Sequence, residues 1–153
     1  MYFKQDERLS FFWKPPKQST NEDNALWDSM ISRYNEALQE SEYNRALRAF
    51  LRSSLHRLKA GESVDLGYTL SQLTAHLESL FTEGMEWANY GLWEIDHILP
   101  IQWFIERELS DAKIVNSLTN LRPLWASENR AKGASIMLNG LTDVEFYQTL
   151  INL

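Results

Sequence analysis

The chain has 153 residues, of which 44% are hydrophobic and 24% are charged, and its formal net charge is −6. These values are typical of one soluble globular domain, or of one domain with an extension. The chain has no cysteine, which excludes disulfide bonds and thiolate zinc sites. No apolar run reaches the ~20 residues that a membrane helix needs, and the charged N-terminus is unlike a signal peptide. We therefore expect a cytoplasmic protein without a membrane partner.

Residues 1–43 are predicted to form an arm and a helix. The aromatic cluster 11–13 is followed by two prolines, which end regular structure, and it either packs on the body of the protein or docks a partner. Residues 25–59 carry apolar residues at helical spacing, with a break expected near Glu40–Glu42. Acidic residues outnumber basic ones in residues 1–43, so this segment could contact a protein partner.

A group of arginines follows on the same helical stretch. Arg45, Arg48 and Arg52 recur at i, i+3 and i+7, which places them on one helix face. This face either grips phosphate groups or is a solvated helix surface, and the sequence favours neither interpretation.

Three shorter helices are predicted further along the chain. The first spans Leu70–Phe81 and could be capped by Thr69 or Ser71. The second covers Glu106–Val115, and Thr142 could cap a last helix that runs through residue 150. We expect the tail, residues 136–153, to pack on the rest of the domain.

The stretch 91–133 contains the polar residues with the clearest chemical potential. Asp96 and His97 lie at the end of a short predicted strand, just before a proline at position 100. A second short apolar segment, 118–125, leads into a helical turn or two that glycine stops at position 133. The predicted order is therefore strand, loop, strand and helix, with Asn129 on the helix.

These side chains could hydrolyse a phosphodiester. His97 could act as a general base, because an unperturbed imidazole has a pKa of ~6.5 and is largely neutral at physiological pH. Asp96 and Asn129 offer a carboxylate and an amide oxygen, which suit Mg²⁺ first and Mn²⁺ second. Zinc would be better served by a histidine at position 129.

Three segments carry a resemblance to a known family. They are Trp-Glu-Ile-Asp-His-Ile-Leu-Pro at 93–100, Thr-Asn-Leu-Arg-Pro-Leu-Trp at 119–125 and Glu-Asn-Arg-Ala-Lys-Gly at 128–133. In this order they resemble the HNH endonucleases of the His-Me finger (ββα-metal) superfamily, in their phage and bacterial form. The resemblance covers roughly residues 44–135. It implies an α+β fold, mostly helical, in which a two-stranded antiparallel hairpin and one helix form the ββα-metal motif.

The resemblance also implies roles for four residues. Asp96 and Asn129 would bind the metal, His97 would be the general base, and Asn120 would brace the loop that positions the histidine. Two neighbouring positions differ from the commonest phage pattern, because Glu94 stands where histidine is frequent and position 122 is arginine where glutamine is frequent.

The implied function is a metal-dependent endonuclease that cuts DNA, with double-stranded DNA as the expected substrate. Arg130 and Lys132, on or just after the metal-binding helix, either touch phosphate or are surface charges. The negative net charge weakens the case for DNA binding by the chain alone. An alternative is therefore a weakly active or non-catalytic HNH-fold module within a larger nucleic-acid-processing or defence complex.

Overall fold

The computed structural model describes residues 20–61, 64–136 and 138–152. Its contacts divide the chain between Arg45 and Ala46 into two compact units. The aromatic cluster 11–13 lies outside the described residues. Within the described ranges, no helix combines the length and the apolar character needed to cross a membrane.

The first described element is one continuous helix, α1, over Asn21–Arg57. The break expected near Glu40–Glu42 was wrong, because the backbone there is helical. No glycine or proline falls within α1, and those are the residues that usually kink a helix. At the start of α1, Thr20 and Asp23 exchange capping hydrogen bonds, in which the backbone N–H of each donates to the other's side chain.

Two predicted helix caps are confirmed in the second unit. Helix α2 spans Leu70–Ser79, and Thr69 forms a reciprocal capping box with Gln72. The last helix in the described residues, α6, spans Asp143–Ile151, and Thr142 forms the same arrangement with Glu145.

The strands and the helix of the central stretch follow the predicted order. Strand β1 spans Trp93–His97 and pairs antiparallel with β2, Leu121–Trp125, and α5 then covers Ala126–Lys132. Pro123 lies inside β2, which a two-stranded sheet tolerates because each strand keeps one free edge. The α+β class is confirmed.

The connection between the strands contains two short helices, α3 at Ile101–Glu106 and α4 at Ala112–Val115. The single helix expected over Glu106–Val115 was wrong. Glu108 adopts a positive φ of 56°, which a right-handed helix cannot accommodate, and the Asp111 carboxylate then caps the start of α4.

The second unit has a core that joins distant segments of the chain. Leu58 from the end of α1, Leu99, Phe104 from α3, Val115 from α4 and Leu150 from α6 are buried together. Helix α6 therefore packs into the same unit as the strands. The Trp103 indole N–H also donates to the Asp143 carboxylate at 2.7 Å, which ties α3 to the start of α6.

Candidate functional site

A cleft of about 380 Å³ lies in the second unit, between the last turns of α1, the end of β1 and α5. Asp96, His97, Asn129 and Lys132 line it together with Arg57. Asp96 and His97 are adjacent on a strand and would ordinarily point to opposite sides. Both reach the cleft because β1 ends at His97.

His97 is buried in a wall of this cleft. Its ring stacks on Phe50 with centroids 5.1 Å apart, and its Nε2 lies 3.0 Å from the Asn116 Oδ1. The pKa of His97 is lowered to about 4, and burial is the largest cause. The Asn116 hydrogen bond and the charge of Asp96 raise the pKa, while the charges of Arg57 and Lys132 add to the lowering. The ring is therefore neutral at physiological pH.

Asn120 does not line the cleft, and it hydrogen-bonds to the backbone just after His97. The residue is fully buried, and its Oδ1 accepts from the Leu99 N–H at 2.8 Å. Its amide group donates to the Leu99 and Val115 carbonyls, at 3.2 and 2.8 Å. Its own carbonyl accepts from the Ile98 N–H at 2.8 Å. These bonds fix the two residues that follow His97.

Asp96 is buried between two cations. Lys132 Nζ lies 2.8 Å from Oδ1, and Arg122 Nε lies 3.0 Å from Oδ2. The ammonium also donates to the His97 carbonyl at 3.1 Å, and the Lys132 side chain is almost fully buried. The lysine thus lies beneath the site as the partner of Asp96 and not on the surface of α5.

Glu94 and Asn129 are paired across the gap between β1 and α5. The Asn129 amide nitrogen donates to the Glu94 Oε2 at 2.8 Å. Since the amide nitrogen is used in this bond, the amide oxygen of Asn129 remains available as a ligand. Glu94, which differs from the phage pattern, thus orients one of the two proposed metal ligands.

The donor chemistry of the cleft fits a hard divalent cation. Asp96 and Asn129 both line it and offer oxygen atoms, and Mg²⁺ typically takes one or two protein ligands and keeps several waters. Within the described residues no group of three His, Cys, Asp or Glu side chains is gathered as zinc sites commonly need. A metal ion would compete with Lys132 for the Asp96 Oδ1, because the Lys132 ammonium already neutralises that oxygen.

The other proposed phosphate contacts are not among the residues that line the cleft. Arg45, Arg48, Arg52 and Arg130 are exposed, and none of them lines it. Arg57, which follows the three helical arginines in α1, does line it. It stands where a cation could meet a phosphate group beside His97.

Sequence reasoning missed Asn116, Ser54 and Phe50, which contact His97 or its hydrogen-bond partner. No motif marks them, and Asn116 lies in the polar part of the insertion between the strands. The only signal for Phe50 and Ser54 was the helical period of α1, which assigns a buried face but no partner.

Buried His97 makes stability depend on pH. The pKa of His97 is about 4 in the folded chain and ~6.5 in the unfolded chain. Between these two pH values the unfolded state binds a proton at His97 and the folded state does not. Between pH 7.5 and 5.0 we expect the free energy of unfolding to fall by about 2 kcal/mol through this residue. Urea unfolding in EDTA measures the loss, and His97→Gln should remove that part of it. An equal pH dependence in both proteins would contradict the prediction.

Comparison of the chain with protein-family models, with curated proteins and with solved structures gives no match. The relation to HNH endonucleases stays a prediction from the sequence motifs.

Proposed function

We propose that the protein is a metal-dependent DNA endonuclease of the HNH type. The observation that carries the proposal is that His97, Asp96 and Asn129 line one cleft, at the end of β1 and on the helix that follows β2. A candidate base and two oxygen ligands are the groups that hydrolysis of a phosphodiester requires.

His97 is proposed to take the proton of the attacking water. The neutral ring can accept a proton at physiological pH, and its Nδ1 has no hydrogen-bond partner among the described residues. A phosphate anion in the cleft would raise the pKa of His97 by Coulombic attraction, so the ring becomes a stronger base when the substrate is bound.

Asp96 and Asn129 would hold Mg²⁺ or Mn²⁺. The ion would supply Lewis-acid stabilisation of the phosphoryl and leaving oxygens. Arg57 places a positive charge at the same cleft, which favours binding of an anionic phosphate group. One base and one such ligand pair cut one strand at a time, so the expected first product from a plasmid is nicked circular DNA.

Nicking of supercoiled plasmid tests the proposal. We expect the purified protein to nick it with Mg²⁺ or Mn²⁺ and to be inactive in EDTA. Asn129→Ala should reduce the rate about 10- to 100-fold, because it removes one ligand, while Glu128→Ala, on the exposed neighbouring residue, should not. A folded wild-type protein that cuts no plasmid with either metal would overturn the proposal.

A second candidate function is a weakly active or non-catalytic module of a larger assembly. Two observations favour it: the net charge is −6, and both oxygens of Asp96 already have cationic partners. In that case the chain alone should fail to shift duplex DNA in a gel at low salt, and a partner should be needed to bring the nucleic acid. Tight binding by the isolated chain would argue against this candidate.

A further inference from the structure

Asn116 is held rigidly beside His97 and belongs to no recognised motif. The residue is fully buried, and its side-chain Nδ2 donates to the Ala112 carbonyl at 2.9 Å. Its backbone carbonyl accepts from the Tyr68 hydroxyl at 2.7 Å. Both the backbone and the amide plane of Asn116 are therefore fixed by the surrounding fold.

The hydrogen bonds of Asn116 assign its two amide atoms. The Ala112 carbonyl can only accept a hydrogen bond, so the Asn116 side-chain atom that faces it must be the amide nitrogen. The Asn116 amide oxygen must then face the other way. That oxygen has two neighbours, the Ser54 hydroxyl at 2.6 Å and the His97 Nε2 at 3.0 Å. An amide oxygen carries two lone pairs and no hydrogen, so both neighbours must be donors.

The histidine tautomer follows from this assignment. If Nε2 of neutral His97 carries the hydrogen, Nδ1 carries the lone pair, and Nδ1 is the nitrogen without a partner among the residues that the structure describes. The stacked Phe50 ring holds the imidazole plane, but a ring contact cannot select a tautomer. Among the described side chains, Asn116 alone distinguishes the two nitrogens by a hydrogen bond.

We propose that Asn116 is a positioning residue that fixes His97 as the Nε2–H tautomer, with Nδ1 presented as the proton acceptor. This inference rests on the proposed endonuclease function for its catalytic meaning. In the opposite tautomer Nδ1 would carry a hydrogen and could not accept the proton of water. The Ser54 hydroxyl supports the arrangement by occupying the second lone pair of the amide oxygen.

Nitrogen-15 NMR of the histidine rings tests the tautomer directly. The chain has three histidines, and the signals of His97 are those that His97→Gln removes. At pH 7.5 we expect the wild-type His97 to show a protonated Nε2 and an unprotonated Nδ1. Asn116→Leu, of similar size and without an acceptor, should give a mixture of tautomers and about 10- to 100-fold slower nicking.

The control is Ser117→Ala, next to Asn116 in the sequence. Its buried hydroxyl has no hydrogen-bond partner in the described part of the chain, so its loss should leave the spectrum unchanged. A wild-type spectrum with Nδ1–H, or with both tautomers, overturns the inference even if the variants do not fold. So does Asn116→Leu with a wild-type tautomer in a folded protein. If the wild type shows the Nε2–H tautomer but cuts no plasmid, the assignment by Asn116 stands and the endonuclease function is what fails.

Discussion

His97→Gln is expected to slow plasmid nicking by about 10²- to 10⁴-fold, the usual contribution of a general base. Glutamine is the sharper substitution because its amide nitrogen can still donate to Asn116, while no atom of it accepts a proton at neutral pH. The stack on Phe50 is lost, but the cavity is smaller than alanine would leave. Single-turnover nicking with protein in excess measures the chemical step.

His56→Gln is the matched control. His56 lies on α1, is exposed and does not line the cleft, so its loss should leave the rate within a factor of two or so. The two variants should bind plasmid equally well, since neither removes a cation that lines the cleft. If folded His97→Gln nicks plasmid at nearly the wild-type rate, another group must activate the water.

Lys132→Met should lower the free energy of unfolding by about 3 kcal/mol. Methionine fills much of the lysine volume, so packing changes little, but Asp96 loses the ammonium 2.8 Å from its Oδ1. Removing one member of a buried ion pair is costly because the remaining charge stays desolvated. The expected loss is at the lower end of the usual range because Arg122 still neutralises the other oxygen. Urea denaturation in EDTA measures it.

Arg130→Met provides the comparison on the same helix. Arg130 is exposed, so the same change of a cation to methionine should cost less than about 0.5 kcal/mol. Adding Mg²⁺ should stabilise Lys132→Met more than it stabilises the wild type, because Asp96 is then free of the competing ammonium. A loss as small as that of Arg130→Met would show that the buried pair contributes little to stability.

The features that sequence patterns predict here are local. Thr69 and Thr142 cap their helices because a capping box needs only residues three positions apart. The order of β1, β2 and α5 follows from short apolar segments bounded by polar residues and glycine. The break predicted near Glu40–Glu42 is wrong. Polar residues interrupt the apolar period there, but glycine and proline, the residues that usually kink a helix, are absent from α1.

The features that sequence patterns miss depend on tertiary contacts. Ser54 and Asn116 lie 62 positions apart, and nothing in either segment indicates that they meet. For Lys132 the sequence offers a phosphate contact or a surface charge, because helical spacing alone does not say which side of a two-turn helix faces Asp96. Burial, which sets the low pKa of His97, likewise emerges only when α1 and the strands are packed together.

One wall of the cleft is made by the last turns of α1, which precede β1 by more than thirty positions. Phe50 and Ser54, on those turns, touch His97 and its hydrogen-bond partner. The segment from β1 to α5 therefore depends on α1. If that segment alone were transferred to another protein, His97 would lose its contact with Phe50, and Asn116 would lose its contact with Ser54. A graft that keeps these contacts has to include the part of α1 that follows Ala46, where the second compact unit begins.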